Sequence, residues 1–297
     1  MVEAKLNLDI AQKIAEFEMI LNRILPKKIF YRLLLRGKGM EFDGYRSYSP
    51  DEDSSSIDWK ASTRAGTLLA RQYIEEREIK VVFIVDVGDN MIFGSQKKLK
   101  CELAAEIVCS LAHTMLNAND KVGIIFVNTK IVKMNPPDGG KKMFDFIVYN
   151  TSDPKNYGGS SDIGYSLKEV LEYVNPSVSL IVLVSDFLKV NENQAKQFEE
   201  IGNLIETIAI MIRDPLDITL PNINKEVVIR DIDSGEKLLI NPKIAKKVYE
   251  INARNQLIET RKVLTKANID ILELNTSEEF PYPLATFLKR RVATRDK

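Results

Sequence analysis

Two short stretches of this chain end alike. Val81–Asp86 (Val-Val-Phe-Ile-Val-Asp) is an apolar run stopped by an acid, and Leu180–Asp186 (Leu-Ile-Val-Leu-Val-Ser-Asp) repeats the pattern downstream. Runs of this length, rich in β-branched residues, read as strands buried on both faces. Gly88-Asp89-Asn90 forms a polar turn after the first run, and a long helical pattern opens at Ser95. A strand that feeds a helix through a short turn puts its closing acid at the carboxyl edge of a sheet. Open α/β folds hold their sites there.

The rest of the chain fits the same alternation. Leu6–Leu25 has an amphipathic helical period, with Ile10, Ile14, Phe17, Leu21 and Ile24 on one stripe. Lys28–Leu35 reads as a strand, and Gly37–Ser56 as an ordered but irregular segment. Thr67–Glu75 reads as a strand polar enough for a sheet edge. From Lys80 strands and helices alternate: a helix over Ser95–Asn117, strands at Val122–Val127 and Lys130–Met134 around the Asn128-Thr129 turn, and helices at Gly140–Tyr149 and Ser161–Tyr173. After Leu180–Ser185 come a helix at Asn191–Gly202 and a strand at Ile205–Met211. Val227–Asp231 and Glu236–Ile240 form a hairpin around Asp233-Ser234-Gly235. Asn241-Pro242 then starts a helix running to about Ala267, and Ile269–Leu274 is the last strand. This order predicts a three-layer α/β/α domain with a mostly parallel sheet. The domain boundaries read as 1–78 for an N-terminal helix with a small β-containing extension, and 79–297 for the sheet domain with a hairpin insertion near 222–241.

Composition narrows the function classes. Lys plus Arg and Asp plus Glu both number 42, so the net charge is zero, against a dedicated nucleic-acid surface. The basic clusters Lys97, Lys98, Lys100 and Lys289, Arg290, Arg291, Arg295 read as solvated helix faces. Cys101 and Cys109 lie on one predicted helix, too far apart to bridge, which fits a reducing compartment. No apolar run approaches the roughly 18 residues of a membrane span, and the N-terminus lacks a signal-peptide layout. The expectation is a cytoplasmic protein.

Three loops are expected to meet at the carboxyl edge: Asp86-Val87-Gly88-Asp89-Asn90, Gly158-Gly159-Ser160-Ser161-Asp162, and Ser185-Asp186. Their carboxylates, amide and hydroxyls are hard oxygen ligands, suited to magnesium, manganese or calcium. The simpler reading is that the acids cap turns and helices.

This layout resembles a von Willebrand factor A domain with a metal-ion-dependent adhesion site. That motif reads Asp-x-Ser-x-Ser in its first loop, takes a threonine from a second and an aspartate from a third. Asp86 and Asp186 match, and Ser161 stands at the threonine position. Gly88 and Asn90 stand where the two serines belong, and Asp89 lies between them. The resemblance therefore implies a metal set of Asp86, Asn90, Ser161, Asp186 and Asp89, and the departures predict weak or vestigial binding of magnesium, or of manganese or calcium.

Upstream, Gly39-Met-Glu-Phe42, Tyr45-Arg46-Ser-Tyr48-Ser-Pro50-Asp51-Glu52-Asp53 and Ile57-Asp58-Trp59-Lys60-Ala61-Ser62-Thr63-Arg64 are similar to the signature of the domain of unknown function family 58. That resemblance implies a von Willebrand-type module whose genes often lie beside MoxR-type AAA+ ATPases, and no known catalysis. Trp59, the only tryptophan, is expected to anchor this segment. Arg46 and Arg64 are expected to pair with Asp51, Asp53 or Asp58, as a structural lock or a partner contact.

The expected function is a non-enzymatic interaction module that engages a MoxR-type ATPase or its client. The alternative is a metal-dependent phosphoryl-transfer hydrolase using Asp86 as nucleophile. Haloacid dehalogenase-type enzymes need a second Asp two residues on, and that position is Gly88. There is neither a Gly-x-Gly-x-x-Gly after the first strand nor a Walker lysine motif. His113, the only histidine, sits mid-helix, away from the strand tips.

Overall fold

The computed structural model describes residues 6–24, 41–49, 54–74, 79–175, 177–230 and 235–293. The chain divides into two compact units, Arg36–Glu78 and the remainder, so the N-terminal helix goes with the sheet rather than with the 41–74 segment.

Within the larger unit, β3 (Lys80–Asp86), β4 (Lys121–Val127), β5 (Ile131–Asp138), β6 (Leu180–Ser185), β7 (Glu206–Arg213) and β10 (Asp270–Asn275) form one sheet. Their order is β10-β7-β6-β3-β4-β5, and only β5 runs antiparallel. Renumbered within the sheet, this is the 3-2-1-4-5-6 order of doubly wound folds, with the switch point between β3 and β6. This is the α/β architecture with a mostly parallel sheet that the sequence order predicts. Pro136 and Pro137 lie in β5, where an edge strand tolerates residues with no N–H to give.

Side-chain alternation splits the core into two layers. Val81, Phe83 and Val85 pack toward α1 (Ile10–Ile24), α3 (Lys100–Leu116), α4 (Gly140–Ser152) and α8 (Pro281–Ala293). Val82 and Ile84 pack toward α5 (Ile163–Tyr173), α6 (Ala195–Leu204) and α7 (Pro242–Lys266). Alpha-1 is further tied down where the backbone N–H groups of Asn7 and Asp9 donate to Glu102 and Glu106 of α3. The Asn241 side chain accepts from the Lys243 N–H to start α7, with Pro242 at its first turn.

Several elements differ from expectation. Ser95 does not open α3, because its N–H and hydroxyl are both held by Asp214, at 2.8 and 2.6 Å, and the helix begins at Lys100. Helix α8 was not anticipated. Its Arg291 belongs to the cluster read as solvated, yet it is buried, donating to Glu206 and forming an ion pair with Asp270 at 2.8 Å. The hairpin is β8 (Val227–Arg230) with β9 (Lys237–Ile240).

In the smaller unit, β1 (Glu41–Ser47) pairs antiparallel with β2 (Leu69–Ile74), so part of the segment read as irregular is a strand. Pairing across the sequence supplies the order that its own pattern lacks. Helix α2 (Trp59–Ala65) follows Asp58, whose Oδ1 accepts the Ala61 N–H at 3.0 Å. The expected strand Lys28–Leu35, and the acids Asp51 and Asp53, lie outside the described residues.

Candidate functional site

Parallel pairing of β3 with β6 sets Val85 beside Val184 and so brings Asp86, Ser185 and Asp186 to one rim. The Asp86 carboxylate is buried and surrounded by donors. Its Oδ1 accepts the Gly88 N–H at 3.0 Å and the Ser161 hydroxyl at 2.6 Å. Its Oδ2 accepts the Asn90 amide at 3.1 Å and the Ser185 hydroxyl at 2.7 Å. Burial pushes this carboxyl above its ordinary value, and Asp186 adds to the push, against the pull of Ser161, Ser185 and Gly88. The second loop is clamped to the first: the Gly158 N–H donates to Val87 O and the Asp89 N–H to Gly159 O. Gly158 and Gly159 have φ of 138° and 81°, a turn that side chains disfavour. Asp162 serves structure, capping α5 at Tyr165 and accepting from Gln194.

Asp186 is held differently. Its Oδ1 accepts the Leu188 N–H, and its Oδ2 lies 2.7 Å from the Lys100 ammonium. The same ammonium reaches Asp217 at 3.2 Å and stands 5.5 Å above the Phe93 ring. Lys100 is 1% exposed, which corrects its reading as part of a solvated cluster. Burial works against its charge, but Asp186 and Asp217 outweigh burial and raise its pKa. Burial raises the Asp217 carboxyl against the pull of Lys100.

The loops do not fit a divalent cation. Gly88 has no side chain, and a Cβ built there would lie 2.3 Å from Ser161 Cβ and 2.6 Å from Asn90 Oδ1. Asn90 turns its amide nitrogen toward Asp86, and its Oδ1 fills the space a serine at 88 would take, buried without a hydrogen-bond partner. Flipping that amide would set oxygen against a carboxylate oxygen. Asp186 already carries the Lys100 ammonium. Among the described residues, no group of three or more His, Cys, Asp or Glu is placed to hold a metal. Asp89 is half-buried in the turn, where its backbone N–H donates to Gly159 O.

The family model described as "Protein of unknown function DUF58" matches residues 44–258. The chain belongs to the DUF58 family. An uncharacterized protein of Mycobacterium tuberculosis and another of Mycobacterium bovis are each 23% identical over 264 residues, covering 87% of this chain and 81% of theirs. Among solved structures, an aerotolerance-related membrane protein of Bacteroides fragilis aligns with a TM-score of 0.47 at 13% identity, covering 73% of this chain and 99% of that one. BatB of Bacteroides thetaiotaomicron gives the same TM-score and identity over 72% and 99%. The SpRpn10 VWA domain gives 0.41 at 10% identity over 70% and 94%. No helix among the described residues of this DUF58 protein is long and apolar enough to cross a membrane.

Sequence reasoning also missed a cavity of 610 Å³ in the larger unit. Lys100, Asp186 and Asp217 line its polar part, and Ile223, Val227 and Ile240 its apolar part. The family signature lies in the smaller unit. There Tyr45 donates to Asp58 at 3.3 Å, Arg64 is exposed, and Arg46 has an exposed side chain. Trp59 is 65% exposed.

Proposed function

We propose that this DUF58 protein is a non-enzymatic protein-interaction module whose docking rim carries a built-in cation, the Lys100 ammonium, in place of a bound divalent metal. The observation behind this reading is the buried ammonium between Asp186 and Asp217. The partner suggested by the family resemblance is a MoxR-type AAA+ ATPase or its client, in assembly or maturation of a complex. Hydrolysis through Asp86 has no support in the geometry. That carboxylate is 1% exposed and both its oxygens are engaged, whereas a nucleophile must reach its substrate.

The test is capture of a MoxR-type ATPase by this protein in chelator and in magnesium. Binding of equal strength in both is the expected result. Binding that is abolished by chelator and restored by magnesium overturns the metal-free reading, and absence of binding in both removes this partner.

A further inference from the structure

Helix α7 has two faces, and the fold uses one. Thr260, Val263 and Leu264 are buried, the Tyr249 hydroxyl donates to Leu216 O, and the Gln256 amide donates to Phe187 O and Leu188 O. On the opposite side Ile244, Val248, Ile251 and Ile258 are 78%, 63%, 51% and 52% exposed. These four, with the exposed Asn255 and Lys262, advance by alternating steps of four and three residues. That is the a/d seam of a coiled coil, with Ile244, Ile251 and Ile258 at d, and Val248, Asn255 and Lys262 at a. A solvated helix face has no reason to carry β-branched apolar residues in this phase.

We propose that this stripe is a homotypic docking surface on which two copies of the chain pair through parallel α7 helices. Three features identify the occupant as a second copy. From Ile244 to Ile258 the seam complements itself layer by layer, while Lys262 beyond it pairs with Glu192 of its own copy. Asn255 at a central a position is the type of residue that sets register and partner number at some cost in stability. Charge then selects the direction. In a parallel pair Arg254 at g faces the partner copy's Glu259 at e while Arg261 faces Lys266, whereas an antiparallel pair would align Lys247, Arg254 and Arg261 against one another with no attractive pair among them. Because the other side of α7 is packed on its own domain, each helix has one face to offer, so pairing stops at two. The seam drifts by only about 20° per heptad on a straight helix, so its few layers stay in contact without supercoiling.

The contact is small, so a weak dimer in dynamic exchange is expected. Sedimentation velocity of the full chain, from low to high micromolar, is expected to show a concentration-dependent monomer–dimer equilibrium. Ile251→Asp is expected to abolish it without changing the melting temperature, since the side chain is exposed, while Asn255→Val tightens it severalfold. Cysteine cross-linking reads the direction. Cys101 and Cys109 are buried with thiols pushed up to about 12, so they stay silent. Ile244→Cys and Ile258→Cys are each expected to form a disulfide dimer alone. Cross-linking only in a mixture of the two variants means an antiparallel pair and overturns the proposed geometry. A monomer at every concentration, or a dimer indifferent to Ile251→Asp, overturns the surface itself.

Discussion

At the C-terminal rim of the sheet, Asp86 accepts from four neutral donors and Asp186 faces an ammonium. At the N-terminal rim, Asp120, just before β4, is equally buried, yet its Oδ2 has no hydrogen-bond partner. Burial lifts the Asp120 carboxyl from 3.8 to about 6, with only the Ile79 backbone pulling it back. Both rims bury acids, and each supplies a buried cation for some of them, Lys100 for Asp186 and Arg291 for Glu206; Asp120 is the acid left with an unpartnered oxygen. Partner construction, rather than burial, therefore separates Asp86 and Asp186 from Asp120.

The largest effect should come from taking away the charged partner. Lys100→Met leaves Asp186 and Asp217 buried without their ammonium and should cost about 3–5 kcal/mol at neutral pH. The loss should shrink as pH falls and the Asp217 carboxyl, raised by burial, takes up a proton. Urea unfolding at several pH values measures both, and a loss under about 1 kcal/mol would dissolve the contrast between the rims.

The opposite rim gives the next effect, with reversed sign. The folded-state pKa of Asp120 is raised, so the stability contributed by its neutral form is present below 3.8 and lost as pH rises to about 6. Asp120→Asn should therefore stabilise the protein by about 2–3 kcal/mol above that window and by little near pH 4. A pH-independent difference would show that Asp120 is not the titrating group.

Gly88→Ser restores the residue of the adhesion motif, yet its Cβ meets Ser161 at 2.3 Å. It should destabilise by about 1–3 kcal/mol and confer no magnesium-dependent rise in melting temperature. A magnesium-dependent rise would mean the rim can still open into a metal site. Ser185→Ala removes one of four donors to Asp86 and should cost about 1 kcal/mol, the smallest change of the set.

The sheet was legible because fully buried parallel strands have an unambiguous signature: Val81–Asp86 and Leu180–Ser185 fall where the apolar runs place them. Asp86, Ser161 and Ser185 come together, and Asp186 ends the adjacent strand, because topology alone sets which strand tips adjoin. Lys100 was not legible, since its environment is made by Asp186 and Asp217, far away in sequence, while its neighbours Lys97 and Lys98 suggest solvent. Strand β1 was hidden for a related reason, because Glu-Phe-Asp-Gly-Tyr-Arg-Ser takes its order from β2. Helix α8 opens on Pro281 and Pro283 and ends in basic residues, a pattern that disguises Leu284, Ala285 and Leu288 as a tail instead of a core face.

A counter-ion that is part of the polypeptide cannot be exchanged. Lys100 is installed once, when the chain folds, and thereafter neither ion pools nor competing ligands can remove it. Its near-complete seclusion also keeps modifying enzymes from the amine. A rim wired in this way has no switch of its own, so the timing of its engagements must be set by the supply and state of whatever it meets.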